Sequence, residues 1–447
     1  MRSITIVILS VLLTGEVWGQ IDKGNRVFAW QIDVAQNADY DSAFFYAKEM
    51  CMESTHLSFT WSDLQPDTST FDAVFIASFL DVLDLYYPAN SMPIELQMAT
   101  MNTAVKSTPI DLITTAFDNP AMIRQFKRAL DTVFAHVPNL ELSALNIGNE
   151  SDLVMGTDSN AYAAYKVFLD SVIPHAKSLY FAIHGKELNV GTTFTHGGLT
   201  GQFRKNLCKM VNQGRDIVSV TYYPLNPDFT MMLPSVVPSD FSDLVAIYPD
   251  TSQPIYFVEC GYSSSSLCNS SEAQQADFYS EVFKAWDSLR PNIPYISAFK
   301  TTDWSLTEVQ ELSQYYGITD TVFLEYLRTL GVRTWDLNGR NKLAFDRIQC
   351  LLKERNWCST DCPFLGVTAP FESPELTYFP NPADDLMFIE TILPMTELRL
   401  LNSQGKEEIH LSTPASPIAI SSLKTGVYVM VITLENGQSQ RFRFIKK

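Results

Sequence analysis

Short apolar runs alternate with longer amphipathic stretches along most of the chain. Between Arg26 and about Lys300 there are eight such runs, rich in β-branched residues. They are RVFAWQI, HLSF, PIELQM, LSALNIG, ELNVGTT, IVSVTYY, PIYFVE and YISAFK, starting at Arg26, His56, Pro93, Leu142, Glu187, Ile217, Pro254 and Tyr295. Starts roughly 30 to 50 residues apart correspond to one β-α unit with its loops. The pattern predicts an α/β fold, a (β/α)8 TIM barrel.

An open, doubly wound sheet is the alternative architecture for alternating strands and helices. That fold places a glycine-rich phosphate-binding turn after its first strand. No such turn follows VFAWQID. The barrel is therefore the favoured prediction.

The pattern changes near the C-terminus. The prolines and small polar residues of WCSTDCPFLGVTAPFESP predict a linker at 357–374. LRLLN, GVYVMVIT and QRFRFIK then alternate apolar and polar residues with period two, separated by turn sequences. This predicts a small antiparallel β-sandwich at 375–447, after a barrel domain at 20–356.

The N-terminus has the features of a secretory signal. Arg2 precedes an apolar run from Ile4 to Leu13, and small residues follow up to Gly19. We expect residues 1–19 to be removed; a buried N-terminal strand is the alternative. The apolar run is too short to span a bilayer, and no cysteine follows it to accept a lipid, so we expect no stable membrane insertion.

Charge and cysteine content narrow the function classes. A formal net charge of −18 argues against nucleic acid or an anionic membrane as partner, whereas a neutral polysaccharide carries no such penalty. Seven cysteines leave at least one unpaired within the chain. Cys358 and Cys362 are close enough to form a local clip, and no His or Cys pair completes a metal site around them. We expect neither metal nor cofactor.

Two glutamates stand where predicted strands end, which is where barrels of this kind carry their chemistry. Glu150 ends NIGNE, and Glu259 ends YFVE. Retaining cleavage of a glycoside needs one carboxylate as nucleophile and one carboxylic acid to protonate the leaving oxygen. The pair suits this use if its surroundings separate the two pKa values. Asn149, beside Glu150, offers an amide to a sugar hydroxyl.

These residues resemble clan A of the glycoside hydrolases, over roughly residues 26–348. In that clan the acid/base follows an Asn at the end of the fourth strand, and the nucleophile ends the seventh. Glu150 ends the fourth run and Glu259 the seventh. The resemblance implies that Glu150 is the acid/base and Glu259 the nucleophile. Locally, NIGNE, TYYP and FVECGY look most like arabinogalactan endo-β-1,4-galactanases.

Aromatic positions extend the resemblance. In SVTYYP, strand alternation places Thr221 and Tyr223 on one face. Clan members often carry here a Tyr that hydrogen-bonds the nucleophile; Tyr223 is the expected residue, and Tyr222 is the alternative if the register slips. Trp304, in TTDWS, resembles the clan's aromatic platform for a sugar ring, with a core role as the alternative. Trp61 resembles another recurrent position and is equally consistent with a structural role.

Two histidines complete the predicted site. Many clan members have an Arg five residues before the Trp61 equivalent, where it helps to orient the nucleophile; this chain has His56 there. His56 either takes over that hydrogen bond or leaves the site weakened. His196, in TFTHGG, is a candidate sugar contact or a loop histidine without function.

The C-terminal segment strongly resembles the sorting domain of type IX secretion substrates in Bacteroidota. Its Pro-Asn-Pro, Gly-Lys and Leu-x-x-Gly-x-Tyr elements occur in order within residues 376–447. A carbohydrate-binding module is the alternative and needs exposed aromatic residues on one sheet face. The alternating positions of Tyr378, Tyr428, Phe442 and Phe444 suit a core better. The resemblance implies type IX machinery as a partner and a secreted or cell-surface location.

Three functions remain open from sequence. The leading one is retaining hydrolysis of β-glycosidic bonds in a polysaccharide or oligosaccharide. The short galactanase-like strings favour a galactan-type substrate. A non-catalytic, surface-exposed carbohydrate-binding barrel is the second, because His56 replaces the expected Arg. A transglycosylase using the same carboxylates is the third.

Overall fold

The computed structural model describes residues 23–358, 376–391, 394–402, 406–435 and 439–447. The chain divides into two compact units, with the boundary between residues 366 and 367. The first is a parallel barrel surrounded by helices, and the second contains two small antiparallel sheets. The predicted fold class is thereby confirmed. The expected signal peptide at 1–19 and most of the expected linker lie outside the described residues.

Nine parallel strands form the barrel, and one short strand, β4, pairs antiparallel with β3. The strands are β1 (Val27–Trp30), β2 (Ser54–Thr60), β3 (Ile94–Asn102), β4 (Val105–Lys106), β5 (Leu142–Asn149), β6 (Val190–Gly191), β7 (Thr193–Thr195), β8 (Val218–Tyr222), β9 (Ile255–Cys260) and β10 (Tyr295–Ala298). Their order is β6-β5-β3-β2-β1-β10-β9-β8-β7. Only Thr192 separates β6 from β7, so these two segments act as one interrupted strand and the barrel is nearly closed.

Each predicted run supplies a strand at its expected place in the order. With β6 and β7 counted together, β5 is the fourth barrel strand, β8 the sixth and β9 the seventh. The strands are apolar because helices cover the outside of the sheet and side chains fill the inside. In β3, for example, eight of nine residues are buried.

The surrounding helices begin at recognisable sequence signals. Asn119 accepts a hydrogen bond from the Ala121 amide at the start of α5, and Pro120 occupies its first turn. Ser305 and Glu308 form a capping box at the start of α12. The helices are α1 (Tyr40–Glu49), α2 (Trp61–Leu64), α3 (Ala73–Phe75), α4 (Asp81–Ala89), α5 (Pro120–His136), α6 (Ser151–Met155), α7 (Ser159–His184), α8 (His196–Thr200), α9 (Lys205–Asn212), α10 (Val237–Ile247), α11 (Glu272–Ser288), α12 (Leu306–Tyr316), α13 (Thr321–Arg328) and α14 (Leu343–Glu354).

Covalent and ionic links join the two ends of the barrel unit. Cys51 and Cys358 form a disulfide across 307 residues of sequence, so the local Cys358–Cys362 clip is excluded. The buried Arg26 and Arg355 both pair with Asp287 of α11. The free cysteines in the described residues, Cys208, Cys260 and Cys268, are buried.

The C-terminal unit has the predicted antiparallel arrangement. One sheet has the order β11-β12-β15 and the other β14-β13-β16-β17. Their bounds are β11 (Leu376–Phe379), β12 (Leu386–Thr391), β13 (Met395–Asn402), β14 (Glu407–Leu411), β15 (Ile418–Ala419), β16 (Gly426–Leu434) and β17 (Ser439–Lys446). Tyr428 and Phe444 are buried and stack on each other, while Tyr378 and Phe442 pack against the same core. These four aromatics therefore serve the core.

Candidate active site

A cavity of about 850 Å³ lies where the barrel strands end. Residues within or just after each of the eight barrel strands contribute to it, as expected for the functional face of this fold. Its polar lining includes Gln31, His56, Ser58, Asn102, Asn149, Glu150, His196, Thr221, Tyr223, Asp240 and Glu259. Both predicted carboxylates thus face one cavity.

Glu150 directly follows the fourth barrel strand in an unusual backbone conformation. Its φ of 45° lies in the left-handed region, and it precedes α6. Gly148, two residues earlier, has φ 92°, and a Cβ there would overlap the hydroxyls of Tyr165 and Ser151. Non-glycine residues at positive φ are sparse and often found at functional sites. The close packing around Gly148 therefore helps to place the carboxyl of Glu150.

Hydroxyl groups surround the carboxyl of Glu150. Thr221 Oγ1 donates to its Oε1 at 2.7 Å, and the Thr103 side chain also hydrogen-bonds to it. Burial and then the nearby charge of Glu259 raise the pKa of Glu150 to about 7, although the two threonines oppose this rise. A carboxyl with this pKa is substantially protonated near neutral pH.

Glu259, in the seventh barrel strand, has a different set of neighbours. The Tyr223 hydroxyl donates to its Oε2 at 2.6 Å. Burial, the largest cause, and the charge of Glu95 raise the pKa of Glu259, and the net pKa lies above its ordinary value although the charge of His56 and the Tyr223 hydrogen bond oppose the rise. Its side chain is 12% exposed, so one part of the carboxylate still reaches the cavity.

The sixth barrel strand has the predicted register. Thr221 and Tyr223 lie on one face and contact Glu150 and Glu259 respectively. Tyr222 also lines the cavity, but its side chain is 1% exposed and donates its hydroxyl to Asp240 Oδ2 at 2.7 Å instead of to a glutamate. Tyr223, and not Tyr222, is therefore the tyrosine on Glu259.

His56 is buried between two carboxylates. Its Nδ1 contacts Glu95 Oε2, and its Nε2 lies 3.9 Å from Glu259 Oε1. Burial lowers the pKa of His56, but the charges of Glu95 and Glu259 outweigh burial, and the net pKa is raised. The histidine at the position of the expected Arg therefore has surroundings that favour its cationic form beside Glu259.

Asn149, Trp304 and His196 also line the cavity. Asn149 Nδ2 donates to Asn102 Oδ1 at 3.0 Å. Trp304 is partly exposed, and the ammonium of Lys300 lies 3.8 Å from the centre of its ring. His196 Nε2 lies 3.3 Å from the carbonyl oxygen of Asp240, and burial lowers its pKa, which favours the neutral imidazole.

Trp61 lies outside the cavity. It is fully buried, packs edge-on against Phe126, and donates its indole N–H to Gln65. Its contacts are those of a core residue, so we assign no sugar contact to it.

An aromatic wall was not foreseen from sequence. Tyr316, Phe323 and Tyr326, from α12 and α13, line the cavity together with Phe299. The rings of Phe299 and Tyr326 lie 5.5 and 6.0 Å from that of Tyr223. In sequence these residues have the spacing of ordinary amphipathic helices, and nothing distinguishes them from core positions.

Glu95 was also missed, although a signal existed. It is the charged residue in the run PIELQM, whose other residues are uncharged, and charged residues are almost never fully buried unless paired. No group of three or more His, Cys, Asp or Glu side chains within the described ranges is arranged to hold a metal ion.

The fold and the cavity define a TIM barrel with paired glutamates after its fourth strand and in its seventh. Residues 377–447 match the model of the secretion system C-terminal sorting domain. The C-terminal unit is therefore a secretion sorting domain, which indicates export. No helix in the described ranges has the length and apolar character to cross a membrane.

Solved structures resemble the barrel at low sequence identity. GH5_18 from Streptomyces cattleya, in complex with GlcNAc, has a TM-score of 0.57 and 12% identity over 75% of this chain and 82% of that chain. A GH5_18 variant from Bifidobacterium longum subsp. longum, in complex with Manβ1-4GlcNAc, has a TM-score of 0.56 and 12% identity, covering 75% and 80%. The exo-β-1,4-mannosidase Op5Man5 from Opitutaceae bacterium strain TAV5 has 0.55 and 14%, covering 74% and 60%.

These similarities show that the barrel shares its fold with the GH5_18 structures and the mannosidase. No curated protein matches the sequence significantly.

Proposed function

We propose that the barrel is a retaining glycoside hydrolase acting on β-linked polysaccharides or oligosaccharides. The observation that carries the proposal is the pair of buried glutamates in one cavity with different surroundings. Glu150, with a pKa of about 7, suits a general acid, and Glu259 has beside it Tyr223 and His56, which oppose the rise in its pKa and so favour an ionised nucleophile. Their positions in the barrel order match those of clan A enzymes, whose fold this chain shares.

The proposed reaction has two steps. Glu259 attacks the anomeric carbon while Glu150 transfers its proton to the leaving oxygen, giving a covalent glycosyl-enzyme. Glu150, now a carboxylate, then removes a proton from water, which attacks the same carbon and releases Glu259. Tyr223 holds Glu259 in position, and Asn149 and Trp304 are proposed to bind sugar hydroxyls and a ring face. If a sugar replaces water, the same residues catalyse transglycosylation.

The sugar must be identified with a panel of reagents, because the sequence resemblance and the structural similarity point to different sugars. Short strings resemble galactanases, whereas structures that share the fold include a β-1,4-mannosidase and a complex with Manβ1-4GlcNAc. Mechanism-based 2-fluoroglycosides of galactose, mannose and glucose, followed by peptide mapping, test nucleophile and sugar together. Label on Glu259 is expected; label on a peptide that lacks Glu259 would overturn the assignment.

A non-catalytic sugar-binding barrel is the alternative suggested by His56 in place of Arg. Wild type and Glu259→Ala protein should be compared on β-glycans for both turnover and binding. Turnover by wild type alone supports the enzyme. Binding by both proteins without turnover by either supports the binder, and equal turnover by both contradicts the catalytic role of Glu259.

We also propose export in two stages, by a signal peptide at 1–19 and then by type IX machinery that reads the sorting domain. Deleting residues 377–447 in a type IX-competent host is expected to retain the protein in the periplasm, because the signal peptide still carries it across the inner membrane. Secretion of the truncated chain at the wild-type level would contradict this route.

A further inference from the structure

A carboxylate that the proposed mechanism does not use lies behind the nucleophile. Glu95, on β3, is fully buried, and strand register places it beside His56 of β2. Its Oε1 accepts a hydrogen bond from Asn146 Nδ2 at 2.7 Å, and its Oε2 contacts His56 Nδ1. Burying a carboxylate is unfavourable unless hydrogen bonds and an opposite charge compensate it. The amide of Asn146 supplies a hydrogen bond, so the opposite charge must come from His56.

The other nitrogen of His56 faces the nucleophile. Nε2 is buried, has no hydrogen-bond partner in the described part of the chain, and lies 3.9 Å from Glu259 Oε1. Tyr223 already occupies Oε2 of Glu259. A neutral imidazole with its proton on Nδ1 would turn a lone pair towards Glu259 and favour its protonated form. A doubly protonated imidazole turns an N–H towards Glu259 and favours the carboxylate.

We infer that Glu95 is a positioning residue that acts through His56, holding the imidazole as a cation against Glu259 and keeping the nucleophile ionised. This inference rests on the proposed nucleophilic role of Glu259. It explains how a histidine can stand where clan members carry a permanently charged Arg. In this chain the positive charge is that of a protonated imidazole, which the buried carboxylate of Glu95 stabilises.

The titratable groups around His56 agree with this arrangement. Glu95 on β3 and Glu259 on β9 both favour its charged form, and only burial opposes them. Tyr223 donates to Glu259, and Tyr295 of β10 lies close enough to Glu95 to feel its charge. Before the reaction two carboxylates share one cation. When Glu259 becomes a glycosyl ester, Glu95 alone balances His56.

Glu95→Gln gives a test whose sign separates two explanations. If Glu95 acts only as a nearby negative charge, its removal lowers the pKa of Glu259, and the acid limb of kcat/KM moves to lower pH. If Glu95 sustains His56 as a cation, its removal discharges His56, and the acid limb moves up by about one pH unit. A downward shift, or none, would overturn the inference.

A double variant tests whether Glu95 acts through His56. His56→Gln is expected to shift the acid limb upward as well, and adding Glu95→Gln should produce no further upward shift, because the cation is already absent. Additive upward shifts would contradict the relay. Asp84→Asn is the matched control, since Asp84 is a buried carboxylate that accepts hydrogen bonds from Asn139 outside the cavity. It should leave the limb unchanged.

A direct readout keeps the inference testable if Glu95→Gln does not fold. In the wild-type chain labelled with ¹⁵N-histidine, His56 is expected to carry protons on both ring nitrogens at pH 7, with its signals assigned by their loss in His56→Gln. A neutral His56 at pH 6 would refute the relay. Absence of turnover and of label on Glu259 would instead refute the proposed function, whereas the NMR result would still decide the charge of His56.

Discussion

The ends of the fourth and seventh barrel strands hold the same residue type in different chemical surroundings. Glu150 receives hydrogen bonds from two threonine hydroxyls. Burial and the charge of Glu259 raise its pKa to about 7. Glu259 receives a phenolic hydroxyl and lies near a histidine whose pKa is raised. Burial raises the pKa of both glutamates, and both net pKa values lie above the ordinary value, so the two sites differ in the charges and hydrogen bonds that act on each carboxyl.

The sixth barrel strand serves both sides of this comparison. Thr221 contacts Glu150, and Tyr223, two residues later on the same face, contacts Glu259. The same strand therefore supplies one hydrogen-bond donor to each carboxyl group. Substitutions at these two positions should act on opposite limbs of the pH profile, which makes the comparison open to direct test.

Replacing Glu259 or Glu150 by glutamine should have the largest effect. On a 2,4-dinitrophenyl β-glycoside of the sugar that labels the enzyme, Glu259→Gln should lose about 10⁴-fold or more in kcat/KM and show no burst, because no nucleophile remains. Glu150→Gln should keep its burst of dinitrophenolate within about tenfold of the wild-type rate, since this leaving group needs no acid. A burst from Glu259→Gln would reverse the assigned roles.

Gly148→Ala should disturb the Glu150 side alone. A Cβ at φ 92° overlaps two hydroxyls, and the shift should displace Glu150 and lower kcat by about 100-fold. We expect a loss of stability of about 1 to 3 kcal/mol in denaturant unfolding. Gly185→Ala is the control, because Gly185 has φ 64° with open space around it. It should cost about 1 kcal/mol without loss of activity; equal losses of activity in both variants would count against local placement.

Tyr223→Phe should affect the nucleophile's side. Without the phenolic hydroxyl, Glu259 loses a hydrogen bond that lowers its pKa, so the acid limb of kcat/KM should move to higher pH. The rate at the optimum should fall by about 10- to 100-fold. The matched variant Tyr222→Phe alters a hydroxyl that contacts only Asp240 and should leave the limb in place. Movement of the basic limb in Tyr223→Phe would contradict the assignment.

Thr221→Val should have the smallest effect, and that effect should fall on the basic limb of the pH profile, whereas Tyr223→Phe acts on the acid limb. Thr221 lowers the pKa of Glu150, so its replacement should raise that pKa above about 7 and move the basic limb to higher pH by less than about one unit. The acid limb should not move. A pH–rate profile measured beside that of Tyr223→Phe decides the point, and identical shifts in both variants would show that the two carboxyls are not separately controlled.

Local pattern was sufficient to predict the strands and part of the site. Strand-terminal position predicted Glu150 and Glu259 at the cavity, and period-two alternation separated Tyr223 from Tyr222, because both follow from backbone geometry. Trp61 shows the limit of this reasoning. Its neighbours in sequence are compatible with a site or a core, and only its packing against Phe126 decides for the core.

Contacts between distant segments could not be predicted. The Cys51–Cys358 disulfide joins residues 307 positions apart, whereas sequence spacing offered Cys362 as a possible partner of Cys358 and left the pairing open. The aromatic wall of Tyr316, Phe323 and Tyr326 depends on how α12 and α13 fold over the mouth of the barrel. Loop and helix placement of this kind follows from packing across the whole domain, which no local period encodes.

The sequence by itself determined the barrel, the sorting domain and the ends of the strands on which the glutamates lie, because hydrophobic periodicity and short motifs are local properties. Only the tertiary structure decided the charge around each glutamate. His56 and Glu95 are 39 residues apart on neighbouring strands and contact each other, and His56 in turn lies near Glu259. Protonation depends on burial and on charges a few ångströms away, and these distances exist only once the barrel has closed.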